Sequence, residues 1–129
     1  MKQLKSIYTL ATLMLISTIT LGQEEKVTIT IDTLTSEVYM LTGQGGNIGL
    51  YVNATNSFMI DDQFARLSPK IKQAIATITS KPITYLFNTH MHGDHTGGNA
   101  EFNTNTTNLI AQDNVRKSLE QRIIEEPEL

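Results

Sequence analysis

The sequence predicts a mixed α/β (α+β) domain, on three observations. Short apolar or alternating runs separated by turn residues fill the first part, from Val27 to Ile60. A helical apolar period follows Ser68-Pro69 and stops at Pro82. Beyond it, the buried-type run Ile83-Thr84-Tyr85-Leu86-Phe87 leads into further short strand and helix signals. Strands come first, then helix, strand, loop, helix, strand and helix.

Taken in order, Val27-Thr28-Ile29-Thr30-Ile31 alternates apolar and polar, as a half-buried strand does. Glu37 to Leu41 is a second strand, and Ile48-Gly49-Leu50-Tyr51-Val52 a third. Between them Gly43-Gln44-Gly45-Gly46-Asn47 reads as a flexible hairpin connection; a phosphate cradle would need a strand–loop–helix context that does not follow. Asn53 to Asn56 is a polar turn, and Ser57-Phe58-Met59-Ile60 returns as a strand ending in Asp61-Asp62. Ser68 is placed to cap a helix with Pro69 at its first position, Ile71, Ala74, Ile75 and Ile78 form one face, and Pro82 ends it by Lys81. After the strand at 83–87, a short helix is predicted around Gly98 to Phe102 and a small strand at Leu109-Ile110-Ala111. A last helix runs from Asn114 to about Ile124, capped by Asp113, with Val115, Leu119 and Ile123 on one side.

The chain has 129 residues, room for one domain. It is 40% hydrophobic and 18% charged, within the globular range. Cysteine is absent, which excludes disulfides, thiolate metal sites and cysteine nucleophiles. Met1 to Lys5 is a short basic start, Ile7 to Leu21 is apolar but diluted by hydroxyls, and Gly22 is a small residue before Gln23. This pattern predicts a secretory signal peptide over 1–22, and so a periplasmic or secreted protein, with an uncleaved membrane anchor as the alternative. Cleavage would remove Lys2 and Lys5, leaving eight Lys and Arg against thirteen Asp and Glu, so that net charge moves from −3 to −5. That balance speaks against nucleic acid as partner. No stable membrane association is expected after cleavage.

The chemistry concentrates in Thr89-His90-Met91-His92-Gly93-Asp94-His95-Thr96-Gly97-Gly98, where all three histidines of the chain stand within six residues. Imidazole and carboxylate are ordinary zinc ligands. If the strand runs on, His90 and His92 point to one side, because side chains alternate along extended backbone. Gly93 can take a backbone angle other residues avoid, letting Asp94 and His95 reach a second position close by. The arrangement offers two pairs, His90/His92 and Asp94/His95, for two adjacent metals.

This H-x-H-x-D-H run after a hydrophobic strand, followed by Thr96-Gly97-Gly98, resembles the metal-binding signature of the metallo-β-lactamase superfamily. The resemblance covers about residues 27–120 and implies the N-terminal half of an αββα sandwich, a partial domain at 27–124. The runs from Leu41 to Gly49 and from Ile60 to Ala65 look like a bacterial exported branch of MBL-fold metallo-hydrolases. The resemblance implies two Zn2+ in a complete member, with His90, His92, Asp94 and His95 as ligands. Asp94 would also be catalytic, orienting a metal-activated hydroxide that attacks a carbonyl of a small-molecule ester, thioester or amide. Asp61, rather than Asp62, matches a strand-end aspartate that steadies a ligating histidine. The glycine-rich 43–47 segment falls where such folds border the mouth of the site. His92 stands where flavo-diiron proteins normally carry glutamate, which argues against iron redox chemistry.

Members of that superfamily normally complete the site with later residues, yet no histidine or cysteine follows His95, and the one later aspartate, Asp113, suits a helix cap. The expectation is therefore a truncated metallo-hydrolase with little activity alone, or a non-catalytic half-domain that needs a separately encoded second half. An isolated half would leave one sheet face uncovered.

Overall fold

A computed structural model describes residues 26–125. The signal-peptide and cleavage expectations lie outside the described residues. The elements are β1 (Thr30–Thr33), β2 (Val38–Thr42), β3 (Ile48–Val52), β4 (Ser57–Ile60), a 3-10 turn (Ala65–Leu67) and α1 (Ser68–Ile78). After them come β5 (Tyr85–Asn88), α2 (Gly93–Thr96), α3 (Asn99–Phe102), β6 (Asn108–Ala111) and α4 (Asp113–Glu125). The six strands form one sheet in sequence order, antiparallel from β1 to β4 and parallel from β4 to β6.

Strand alternation divides the sheet into two unlike faces. Leu41, Ile48, Leu50, Met59 and Leu86 stand in register on one face and are almost fully buried. Ile71 and Ile75 of α1, with Leu67 and Phe102, close over them. The α1 face is the one its spacing predicts, and α4 borders the same side, where Leu119 and Ile123 share a cleft with Leu109 and Ala111. The opposite face carries Val38, Met40, Tyr51, Phe58, Ile60, Tyr85, Phe87 and Ile110. None of these is buried among the described residues, and Ile60 and Ile110 are 45% and 41% exposed. The chain thus forms one sheet with helices on one side, half of the expected sandwich.

Four local expectations need correction. The first ladder begins at Thr30 and not at Val27, because Thr30 pairs with Thr42, the end of β2. Val27 and Ile29 still pack on the core, so the alternation is real but the pairing starts later. Ser68 does not cap α1: its hydroxyl is buried without a hydrogen bond, and the turn at Ala65–Leu67 leads straight into the helix, with Leu67 at the cap position. The helix ends at Ile78, ahead of the proline limit, because Thr79 turns extended and its hydroxyl accepts from the Lys81 N–H. At α4 the Gln112 side chain, not Asp113, accepts the free Asn114 N–H at 2.6 Å.

Candidate metal centre

Three segments meet at one end of the sheet, and the pairing dictates it. Because β3 runs antiparallel to β4, the 43–47 loop that opens β3 lies beside Asp61, which follows β4. Because β4 and β5 are parallel, the residues after both strands emerge together, tied by the Asp61 N–H to the Phe87 carbonyl at 2.8 Å. The crevice beyond the carboxyl ends of such strands is where open α/β sheets bind ligands.

Beyond β5 the chain does not stay extended as far as His92. It bends after Asn88, and His92 becomes the residue preceding α2, with φ −67° and ψ 146°. Gly93 turns the chain by entering this helix; it does not take a left-handed angle, and Gly45 is the positive-φ glycine among the described residues. The two histidines nevertheless come together, with His90 Nε2 3.2 Å from His92 Nδ1. Asp94 Oδ2 lies 3.5 Å from His95 Nε2, and the His90 and His95 rings are 4.0 Å apart between centroids. All four predicted side chains share one small site at the surface.

The donor spacing tests whether zinc fits. Two ligands at 2.0–2.1 Å with a tetrahedral angle stand about 3.3 Å apart. The separations of 3.2 Å and 3.5 Å match that span for each pair. Among the described residues no three His, Cys, Asp or Glu side chains converge on one point. Each pair could thus offer two donors to one ion, and among the described residues neither pair is joined by a third, where a zinc site ordinarily has three or four protein ligands.

Beneath the histidines Asp61 is a buried acceptor. Its Oδ1 takes the Thr89 N–H at 2.8 Å, and its Oδ2 takes the Thr89 hydroxyl and His95 Nδ1, each at 2.7 Å. A carboxylate only accepts, so His95 donates from Nδ1 to Asp61, which leaves Nε2 as the ring nitrogen that faces Asp94. Thr89 has one hydroxyl proton and gives it to Asp61, so it can only accept from His90 Nδ1, 3.0 Å away. That leaves His90 Nε2 free toward His92. One carboxylate thereby sets the ring tautomer of two histidines.

Three contributors were not legible as such in the sequence. Thr89 carries the link from Asp61 to His90. Asp62, for which the sequence suggests no role, is fully buried and accepts the Gly98 N–H at 2.7 Å. Burial pushes its carboxyl up from 3.8 to about 7, with the Asp61 charge adding to the rise and the Gly98 hydrogen bond opposing it. Gln63, also fully buried, donates from Nε2 to the Gly46 carbonyl and so anchors the glycine-rich loop. What turns Asp62 inward is the left-handed backbone on either side of it, at Asp61 and Gln63, φ 60° and 58°, and no residue pattern there signals it.

Comparison with known proteins accords with this construction. A sequence model of the metallo-beta-lactamase superfamily matches residues 31–111. No curated protein matches. Among solved structures, the metallo-beta-lactamase FIM-1 from Pseudomonas aeruginosa, in its mono-zinc form, is 20% identical with a TM-score of 0.66, over 78% of this chain and 49% of its own. BJP-1, a subclass B3 metallo-beta-lactamase of Bradyrhizobium japonicum, is 26% identical with a TM-score of 0.66, over 76% of this chain and 38% of its own. A metallo-beta-lactamase from Cronobacter sakazakii is 18% identical with a TM-score of 0.66, over 73% and 38%. The chain thus spans half or less of the length of these structures. With a family match across most of the described residues, the same fold, and the histidine run at the sheet's carboxyl end, the chain belongs to the metallo-β-lactamase superfamily, as the N-terminal part of its domain.

Proposed function

We propose that this chain provides the first ligand wall of a two-zinc hydrolase centre acting on a small carbonyl substrate: an ester, thioester or amide. The observation that carries the reading is the pairing of donors, His90 with His92 and Asp94 with His95, at the spacing of two ligands on one tetrahedral ion. Zinc bound there supplies Lewis acidity and a water activated toward pKa ~7. His90, His92, Asp94 and His95 would hold it, and Asp61 and Thr89 keep two of the imidazoles in the donor tautomer. The Asp94 carboxylate is one-third exposed and sits at the open side of the site, where it can orient a water and hold a proton for the leaving group. The signal-like residues 1–22 and a mature charge of −5 support export to the periplasm or outside, without nucleic acid as partner.

The test is zinc content by elemental analysis. The chain is expected to take up zinc, and His90→Ala/His92→Ala together to lose the share held at that pair, since only His95 then remains of its histidines and it has no cysteine. Unchanged stoichiometry in that variant would place the metal elsewhere. Alone, the chain is expected to turn over nitrocefin or lactoylglutathione only feebly; turnover like that of an intact family enzyme, lost in Asp94→Ala, would show that other residues here complete the site.

A second reading, a non-catalytic half-domain that works with a separately encoded half, is favoured by one observation. The aromatic sheet face opposite the helices is uncovered among the described residues, with Tyr51, Phe58, Tyr85 and Phe87 in a contiguous ring cluster. A zinc content of zero together with a folded chain would favour it.

A further inference from the structure

The 43–47 loop touches the centre from above, and it does so by backbone. At Gly46 an added Cβ would stand 2.5 Å from His95 Nε2, closer still to Cε1, and 3.0 Å from Nδ1. Real side chains do not approach so closely, so His95 would have to move. Gly46 has no left-handed angle; what demands glycine there is proximity to the ring. Gly45 has both constraints. Its φ is +104°, and an added Cβ would lie 2.7 Å from Asp94 Cβ and 3.0 Å from Phe64 Cε2. For both glycines the nearest site atoms belong to Asp94 and His95, and none of the three nearest atoms belongs to His90 or His92.

The loop is pinned from below at two points. The Gln63 side chain donates to the Gly46 carbonyl, and Arg66 Nη2 donates to Gln44 Oε1 at 2.6 Å while its guanidinium lies 4.9 Å from the centre of the Phe64 ring. One segment, 63–66, therefore holds the loop on one side, and the loop meets Asp94 and His95 on the other.

We propose that the β2–β3 loop is a positioning strap for the Asp94/His95 pair, with Gly46 as its bearing on the His95 ring and Gln63 as its anchor. Asp61 decides which nitrogen of His95 carries the proton; Gly46 decides where the ring stands. The strap selects between the two positions: it governs the second pair and leaves His90/His92 to Thr89 and the turn at Gly93. Its effect on zinc rests on the proposed metal reading; its effect on the ring does not.

The experiment is histidine-selective NMR on the full chain, its three imidazoles assigned by single substitutions, recorded metal-free and through a Zn2+ titration. Gly46→Ala is expected to shift the His95 ring signals most in the metal-free spectrum, those of His90, whose ring lies 4.0 Å away, less, and to leave those of His92 in place. The Zn2+ concentration needed to perturb His95 is expected to rise ~10–100-fold, the usual cost of disturbing the support of a metal ligand, with the His92 response unchanged. Gln63→Asn keeps a residue that tolerates the left-handed backbone but is too short to reach Gly46, and is expected to act in the same direction. If Gly46→Ala does not fold, Gln63→Asn decides on the same signals. A folded Gly46→Ala with unmoved His95 signals overturns the proposal, as do equal shifts in all three rings. If Zn2+ perturbs no histidine of the unsubstituted chain, the zinc reading fails, and the metal-free ring shifts alone decide the strap.

Discussion

Asp61 shows how much one carboxylate can organise. It stands at φ 60°, a conformation a non-glycine residue adopts at a cost, and from there it reaches both Thr89 and His95. Its two oxygens accept three hydrogen bonds, one of them from backbone, so the end of β4 and the start of the histidine loop are locked together. Thr89 carries the orientation on to His90. Thr89→Val keeps the shape and removes the hydroxyl. That variant is expected to lose about 1 kcal/mol of stability, the ordinary worth of such a hydrogen bond, and to let His90 populate both tautomers. Ring nitrogen shifts check the second effect; a His90 that keeps a single tautomer in the folded variant would mean Thr89 is not what sets it.

At the scale of elements, the centre depends on the turn between β4 and α1. Asp61 and Gln63 are left-handed, and Asp62 between them points inward under the second loop. Gly97 and Gly98 allow that loop to come close: an added Cβ at Gly98 would stand 2.8 Å from the Asp62 carbonyl, and one at Gly97 2.9 Å from that of Gln63. The buried Asp62 carboxyl has a pH consequence. Its pKa is raised from 3.8 to about 7, so in between the folded chain holds a proton that the unfolded chain has released. Its favourable contribution is complete below pH 4 and is lost as pH rises toward 7, at up to about 1.4 kcal/mol per pH unit. Urea midpoints should therefore fall from pH 5 to pH 8, and Asp62→Asn, neutral throughout, should flatten that fall. An unchanged slope in the variant would assign the pH dependence to other groups.

Over the whole molecule, the two sheet faces are the main asymmetry. One is sealed by α1 around Leu41, Leu50, Met59 and Leu86; the other presents an aromatic and aliphatic surface from β2 to β6, with Asp32 at its β1 edge. Contiguous apolar surface of this kind marks an interaction face in soluble proteins. The chain is expected to bind a hydrophobic dye such as ANS while keeping native far-UV and near-UV dichroism, and Ile60→Lys with Ile110→Lys should reduce that binding, because these two are the exposed large hydrophobic residues of the face. Dye binding that persists in the double variant would locate the exposed apolar surface elsewhere.

The sequence alone determined the element order, the placing of β2 to β5 along the chain, the buried stripe of α1 and the clustering of His90, His92, Asp94 and His95. These rest on local period and on a motif in which ligand type and spacing are contiguous, so nothing distant is needed to see them. It also pointed, by resemblance, to Asp61. Contacts between separated segments decided the rest. Gln63 reaches Gly46 across 17 residues and Asp62 reaches Gly98 across 36, and no local pattern records such partners. Gly93 looked like the conformational hinge because it follows His92, yet the chain there simply enters a helix; the glycines that matter are Gly45 and Gly46, read as a loose hairpin connection. Glycine in sequence signals freedom. Only the folded structure shows that at these two positions a side chain would run into Asp94 and His95.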